Sequence, residues 1–374
     1  INSWTDRAVM EIESLKSPQE FGIILSGRVL LLLGDSMKKL IAAIVVLSAT
    51  ALLVASSIQA KTTLRLSNWI PPKHPIAAFM IYPWAENVEK ATNGRVKINI
   101  LKKALGKPPA HFDLAKDGIA DISWGVHGYT PGRFVLTQLV ELPFLGDDAE
   151  ALSVAYWRVH QKYLAAANEH SGVKLLGLMT HGPGHIYNSK RAINMPGDLE
   201  GLKIRVGGGV VSDVGKALNI VTILKSATKS YEILSRGVAD GIFFPKESIK
   251  SFKISKLLKY ATYIPGGLYN TSFFLVMNEK KWNKLSAQDQ KAIMSVSGEA
   301  FAKLAGAGWN KADRAGLAAM KASGMAVQTA SSAMMANLRQ KLSGIEAKVV
   351  GRANTKGVDG AAALKMLRAE AAGY

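Results

Sequence analysis

The chain has 374 residues with 47 Lys and Arg against 28 Asp and Glu, a formal net charge of +19, and no cysteine. Without cysteine a disulfide framework is excluded, so stability has to come from a packed core. The basic residues are scattered among helical stretches rather than gathered with aromatics, which argues against a nucleic-acid partner and fits attraction of anionic solutes or an acidic partner surface.

Met37-Lys38-Lys39 opens a short basic stretch, Leu40 to Val54 is an apolar run short for a membrane span, and Ser56-Ser57-Ile58-Gln59-Ala60 offers a small-residue cleavage site. This three-part pattern predicts a secretory signal peptide over 37–60, a mature chain from about Lys61, and a periplasmic location. Residues 1–36 begin with Ile1, and their apolar stretch, Phe21 to Leu33, is interrupted by Arg28. They read as a mis-annotated upstream segment, with Met37 the true start.

From Lys61 the predicted elements alternate, which implies an α/β fold with covered sheets. Thr63 to Asn68 alternates as a strand. Pro75 starts a helix whose inner stripe is Ile76, Met80, Trp84, Val88 and Ala91, closed by Gly94. Val96, Ile98 and Ile100 give a second strand, Phe112 to Lys116 a short helix ended by Gly118, and Ile119 to Trp124 a third strand. The joint Asp113 to Asp121 is echoed by Glu232 to Asp240, each a helix end, a glycine and a strand entry carrying Asp. The same joint in each half suggests two lobes of similar build with a ligand cleft between them.

Between these joints lies Gly201-Leu202-Lys203-Ile204-Arg205-Val206 followed by three glycines. Leu202, Ile204 and Val206 share one strand face, so Lys203 and Arg205 share the other. A guanidinium at the carboxyl end of a strand, a glycine turn, and a helix that Ser212 or Asp213 can cap make a natural carboxylate pocket. The plain alternative is an arginine pointing to water. Farther on, the chain from Ser286 is almost unbroken helix in composition, long enough to brace both lobes. Gly324 precedes a terminal strand and closing helices, and 361–374 is expected as a frayed C-terminal tail.

Catalytic and cofactor signatures are missing: there is no Gly-x-Ser-x-Gly, no His-Glu-x-x-His and no phosphate loop. His181 and His185 are separated by Gly182-Pro183-Gly184, which cannot form a helix, so they make a weak metal pair. They are either ordinary polar residues of a loop crossing between lobes or neutral donors to a ligand. Neither a catalytic group nor a cofactor or metal is assigned.

Several ordered motifs resemble the solute-binding proteins of TRAP transporters, in the subfamily named for dicarboxylate binding. They are Glu141 to Leu145, Asn188 to Ile193, Gly201 to Val206, Tyr231 to Gly241, and Met277 to Gln290, and the likeness covers nearly all of 61–330. It implies a two-lobed clamshell that closes on one organic anion and delivers it to integral membrane permease subunits. Lobe I is then expected from 61–182 plus 270–308, and lobe II from 183–269 plus 309–360. The resemblance also implies that Arg205 pairs bidentately with the ligand carboxylate.

Members that bind sialic acid carry a second arginine where this chain has His185, so a monocarboxylate is expected. Trp69, Trp124, Tyr129, Phe243 and Phe244, near strand ends, either stack a planar or aromatic acid or belong to the core. Glu247 either accepts from a ligand hydroxyl or pairs with a nearby lysine, and Asn270 is placed as an amide donor. Two alternatives stand beside transport: a periplasmic enzyme using His181, His185 and Glu247 as acid–base groups, and a sensory binding protein with the same cleft.

Overall fold

The computed structural model describes residues 61–374; the expected leader and upstream segment lie outside the described residues. The first lobe opens with β1 (Thr62–Ser67), whose Leu64 and Leu66 face inward. A π-helical turn over Ala77–Ile81 leads into α1 (Tyr82–Ala91), which buries Trp84 and Val88. Then come β2 (Val96–Ile100), α2 (His111–Lys116), β3 (Ile122–Val126), α3 (Ala149–Val159) and β4 (Val173–Thr180). The second lobe runs through β5 (His185–Asn188), β6 (Lys203–Val206), α4 (Val210–Ala217), β7 (Val221–Leu224), α5 (Ser230–Ser235), β8 (Gly241–Phe244), α6 (Lys246–Ser251) and β9 (Tyr260–Tyr263). The chain returns through β10 (Ser272–Asn278), α7 (Glu279–Asn283), α8 (Ala287–Ser295) and α9 (Gly298–Ala322). It closes with β11 (Ala326–Thr329), α10 (Ser332–Asn354) and α11 (Gly360–Ala372).

Two sheets organise the molecule, giving a two-lobed clamshell. One has the order β2-β1-β3-β10-β4, with β10 antiparallel to both of its neighbours. The other has the order β11-β9-β5-β8-β6-β7, in which β6 runs parallel to β7 and β8. Both faces of the inner strands are covered, so β10 is buried at every residue.

The segments that cross between the sheets are laced together. Gly184 donates to the Tyr269 carbonyl at 3.0 Å, and Leu268 donates back to Gly184 at 2.9 Å. Helix α9 also spans both lobes, and two glycines explain how it sits so close. A Cβ on Gly306 would lie 2.3 Å from Glu150 Cα of α3, and one on Gly316 would lie 2.3 Å from the Lys246 carbonyl oxygen at the start of α6. Asn310 fastens the first of these contacts, donating to Asp148 Oδ1 and accepting from the Ala149 N–H.

Four expectations change. The helix from Ser286 is broken between α8 and α9, where Ser297 is extended and Gly298 takes φ +57° against the Trp157 ring. The strand expected over Ile119 to Trp124 begins only at Ile122, because the Gly118 turn continues through an exposed Ile119. Helix α4 is capped neither by Ser212 nor by Asp213: its first N–H, on Val210, donates to Glu141 Oε2 at 3.0 Å, and Asp213 pairs instead with Lys348 and Arg352 of α10. Residues 361–374 are helical up to Ala372 rather than frayed, since Asp359 caps α11 and Leu364 and Leu367 are buried against the core.

Candidate functional site

A cavity lies between the two sheets. Its free volume is small, about 40 Å³. The lobes are shut over it: a Cβ on Gly128, just after β3, would stand 2.7 Å from the Gly208 carbonyl carbon in the turn after β6. Only residues without side chains allow two backbones to approach so closely.

Arg205 ends the inner part of β6 and is 2% exposed. Its Nε and Nη2 both donate to the Lys225 carbonyl, at 2.9 and 2.7 Å, and its guanidinium carbon lies 4.5 Å from the centre of the Phe244 ring. A guanidinium has five N–H groups, so three are left, and no carboxylate among the described residues pairs with it. Burying a cation without a counter-ion costs several kcal/mol. The fork is held by backbone and ring with its free edge bordering the cavity, an arrangement that an arriving carboxylate completes.

The expected site residues fall into two groups. Trp69, His181, Arg205 and Phe244 line the cavity together with Tyr129, whose hydroxyl accepts the Ala227 N–H at 2.8 Å. Trp124, His185, Glu247, Asn270 and Phe243 do not line it. Trp124 is fully buried behind Trp69, stacked on it at 4.3 Å, and its indole N–H donates to Asn68 Oδ1. His185 receives the Ile264 N–H on Nδ1 at 3.2 Å, and burial pushes its pKa well below the usual range, so the ring is neutral. Asn270 donates its backbone N–H to the Glu141 carbonyl and buries Oδ1 without a partner.

Glu247 sits behind the lobe II wall. No lysine among the described residues partners it: Ser248 and Ser251 donate their hydroxyls to its two oxygens at 2.6 Å each. Burial raises its pKa to about 7 and that of Asp313, which accepts the Glu247 N–H, to about 6. His74 Nε2 stands 3.5 Å from Glu247 Oε1, but burial lowers that histidine to about 4, so its ring is neutral near pH 7 and the contact is not an ion pair.

His181 is likewise neutral, lowered to about 4 chiefly by burial, with Nδ1 tied to the Gly182 carbonyl. The three groups proposed for acid–base work are therefore not gathered at one place: His181 borders the cavity, while His185 and Glu247 stand outside its lining. Among the described residues no cluster of three His, Asp or Glu is placed to hold a metal ion.

Sequence reasoning missed His74, Phe252, Tyr269, Phe273 and Trp309 as lining residues. His74 had one local signal, its place beside Pro75 at a helix start. Trp309 was visible only as part of the apolar stripe of α9. Glu141 was quoted in a motif without a role; it receives the Ser272 N–H and hydroxyl from β10 and the Val210 N–H from α4, which joins the turn after Arg205 to the first lobe.

The family model for bacterial extracellular solute-binding proteins, family 7, matches residues 66–350. A Comamonas testosteroni protein named outer membrane transporter protein TsaT is 32% identical over 326 residues, 86% of this chain and 95% of that one. Among solved structures, a TRAP periplasmic solute-binding protein from Bordetella bronchiseptica with bound (R)- and (S)-mandelate is similar at 43% identity and a TM-score of 0.82, covering 83% of this chain and 99% of that one. A TRAP solute-binding protein from Rhodoferax ferrireducens in complex with copurified benzoate is similar at 29% identity and a TM-score of 0.79, covering 83% and 98%. The two-sheet fold, the cleft with its buried cation and these matches agree: the chain belongs to the family 7 bacterial extracellular solute-binding proteins, as a TRAP-type member.

Proposed function

We propose that this protein captures an aromatic monocarboxylate in the cavity between its lobes and, after export to the periplasm, delivers it to a membrane permease without chemical change. One observation carries the reading: Arg205 is buried, unpaired with any carboxylate among the described residues, and faces a cavity walled by Trp69, Tyr129, Phe244, Phe252 and Phe273. The cation takes one carboxylate and the rings take a planar body. His185, neutral and outside the lining, offers nothing to a second carboxylate. The mandelate and benzoate held by the two similar structures support the same ligand class.

A ligand that binds only the folded state raises the melting temperature by mass action, by about 2.7 kcal/mol of stability at a hundredfold excess over Kd. A melting screen of the mature chain, from Lys61, against aliphatic, keto, hydroxy and aromatic acids is expected to give its largest shifts with benzoate- and mandelate-like monocarboxylates. Larger shifts with aliphatic dicarboxylates would overturn the assignment, and turnover of any acid in the screen would replace binding with catalysis.

A further inference from the structure

Two buried N–H donors, carried by residues that line the cavity, find no acceptor among the described residues. They belong to His74, 5% exposed, and Trp309, 2% exposed. Nδ1 of His74 accepts the Ile76 N–H at 3.3 Å, which places the ring proton on Nε2. The nearest acidic oxygen, Glu247 Oε1, is 3.5 Å away, too far for a good hydrogen bond, and already receives the Ser251 hydroxyl at 2.6 Å. Trp309 has only a donor to offer. Its ring packs against His181 and Phe273, with centroids 5.9 and 5.8 Å away, and its N–H is left over. A buried donor without an acceptor gives up its hydrogen bond to water and gains none in return. Two of them beside one apolar cavity are hard to explain as packing, since Phe or Leu would fill the same space without that penalty.

Their position relative to Arg205 follows from the rings between them. The guanidinium lies 4.5 Å over Phe244, Phe244 stacks on Phe252 at 5.6 Å, and Phe252 meets the edge of His74 at 5.1 Å. His74 is thus two rings away from the cation along one wall, and Trp309 approaches from the bracing helix α9. These rings and Trp309 line the same cavity as Arg205, so the body of an aryl acid seated on the cation would share that space with both residues.

We propose that His74 and Trp309 form a second, acceptor-reading subsite, and that the ligand is an aryl carboxylate carrying a hydroxyl or carbonyl oxygen remote from its carboxylate. This rests on the aryl-carboxylate occupant proposed above and adds to it a determinant of specificity. A site built to hydrogen-bond such an oxygen rejects the acid that lacks it, because the donors stay unpaired.

The test is a set of calorimetric titrations with benzoate and phenylacetate and with the 3- and 4-hydroxy form of each. Wild-type protein is expected to bind at least one hydroxylated acid about tenfold or more tightly than its parent. Trp309→Phe keeps a ring and removes the N–H, and His74→Asn keeps an acceptor for Ile76 while removing Nε2–H. Each is expected to reduce the preference, read as the ratio of the two affinities within that variant, to under about threefold. A wild-type protein that does not prefer any hydroxylated acid overturns the subsite, as does a preference that survives in both variants. If a variant does not fold, the wild-type comparison and the other variant still decide. Parent acids that bind without any preference overturn this inference alone; failure of every aryl acid to bind overturns it together with the reading on which it rests.

Discussion

At the scale of single residues, the account turns on charges that are buried without ordinary partners. The Arg205 guanidinium is held by the Lys225 carbonyl and the Phe244 face, contacts that leave three of its N–H groups for an anion. Glu247 solves the same problem in the opposite way, by giving up its charge. Its folded pKa, about 7, lies above its ordinary 4.5, so its contribution to stability is fully present below about pH 4.5 and is lost as the pH rises through 7. Glu247→Gln removes that term while keeping a group that the two serines can bond. The variant is therefore expected to match wild type near pH 4.5 and to gain on it by up to about 3 kcal/mol by pH 8. Paired melts across this range measure the gain; a difference that does not change with pH would mean that folding does not raise the pKa of Glu247. The buried histidines, lowered towards 4, act with the opposite sign in both proteins and cancel in the comparison.

At the scale of elements, close approach decides where side chains are tolerated. Gly316 on α9 stands against the backbone of α6, the helix that follows Phe244 and Pro245 of the cavity wall, whereas Gly344 on α10 faces open space. Gly316→Ala is expected to cost about 1–3 kcal/mol by forcing the two helices apart, and Gly344→Ala to add up to about 1 kcal/mol through helix propensity. Chemical denaturation of both variants checks the pair; equal effects would remove the claim that α9 is seated by its glycines.

The strand, glycine turn and helix around Arg205 were legible in the sequence because alternation and glycine act locally. The cap of α4 was not, since Glu141 reaches the Val210 N–H from 69 residues away. Trp124 and Trp69 looked equivalent as aromatics near strand ends, and only the stacking of one behind the other separates wall from core. His74 and Trp309 carry no sequence signal for an unpaired donor, because lack of a partner is a property of the packed interior.

At the scale of the whole molecule, the lobes meet backbone to backbone at Gly128 and Gly208 over a cavity with little free room. An organic acid has to enter while they are apart, so binding and closure are linked, and the ligand shifts the population towards the shut form by its preference for it. Small-angle scattering is expected to give a smaller radius of gyration with saturating benzoate than without it; an unchanged radius would show that the free protein is already shut. The positive net charge would assist the encounter with any small anion at low salt.

The central claim, that Arg205 anchors the ligand carboxylate, is tested most directly by calorimetric titration of benzoate into wild type, Arg205→Lys and Arg205→Ala side by side. The account predicts one-site binding to wild type, at least tenfold weaker binding to the lysine variant because the fork geometry is lost, and no measurable binding to the alanine variant. Wild-type affinity in both variants would contradict it.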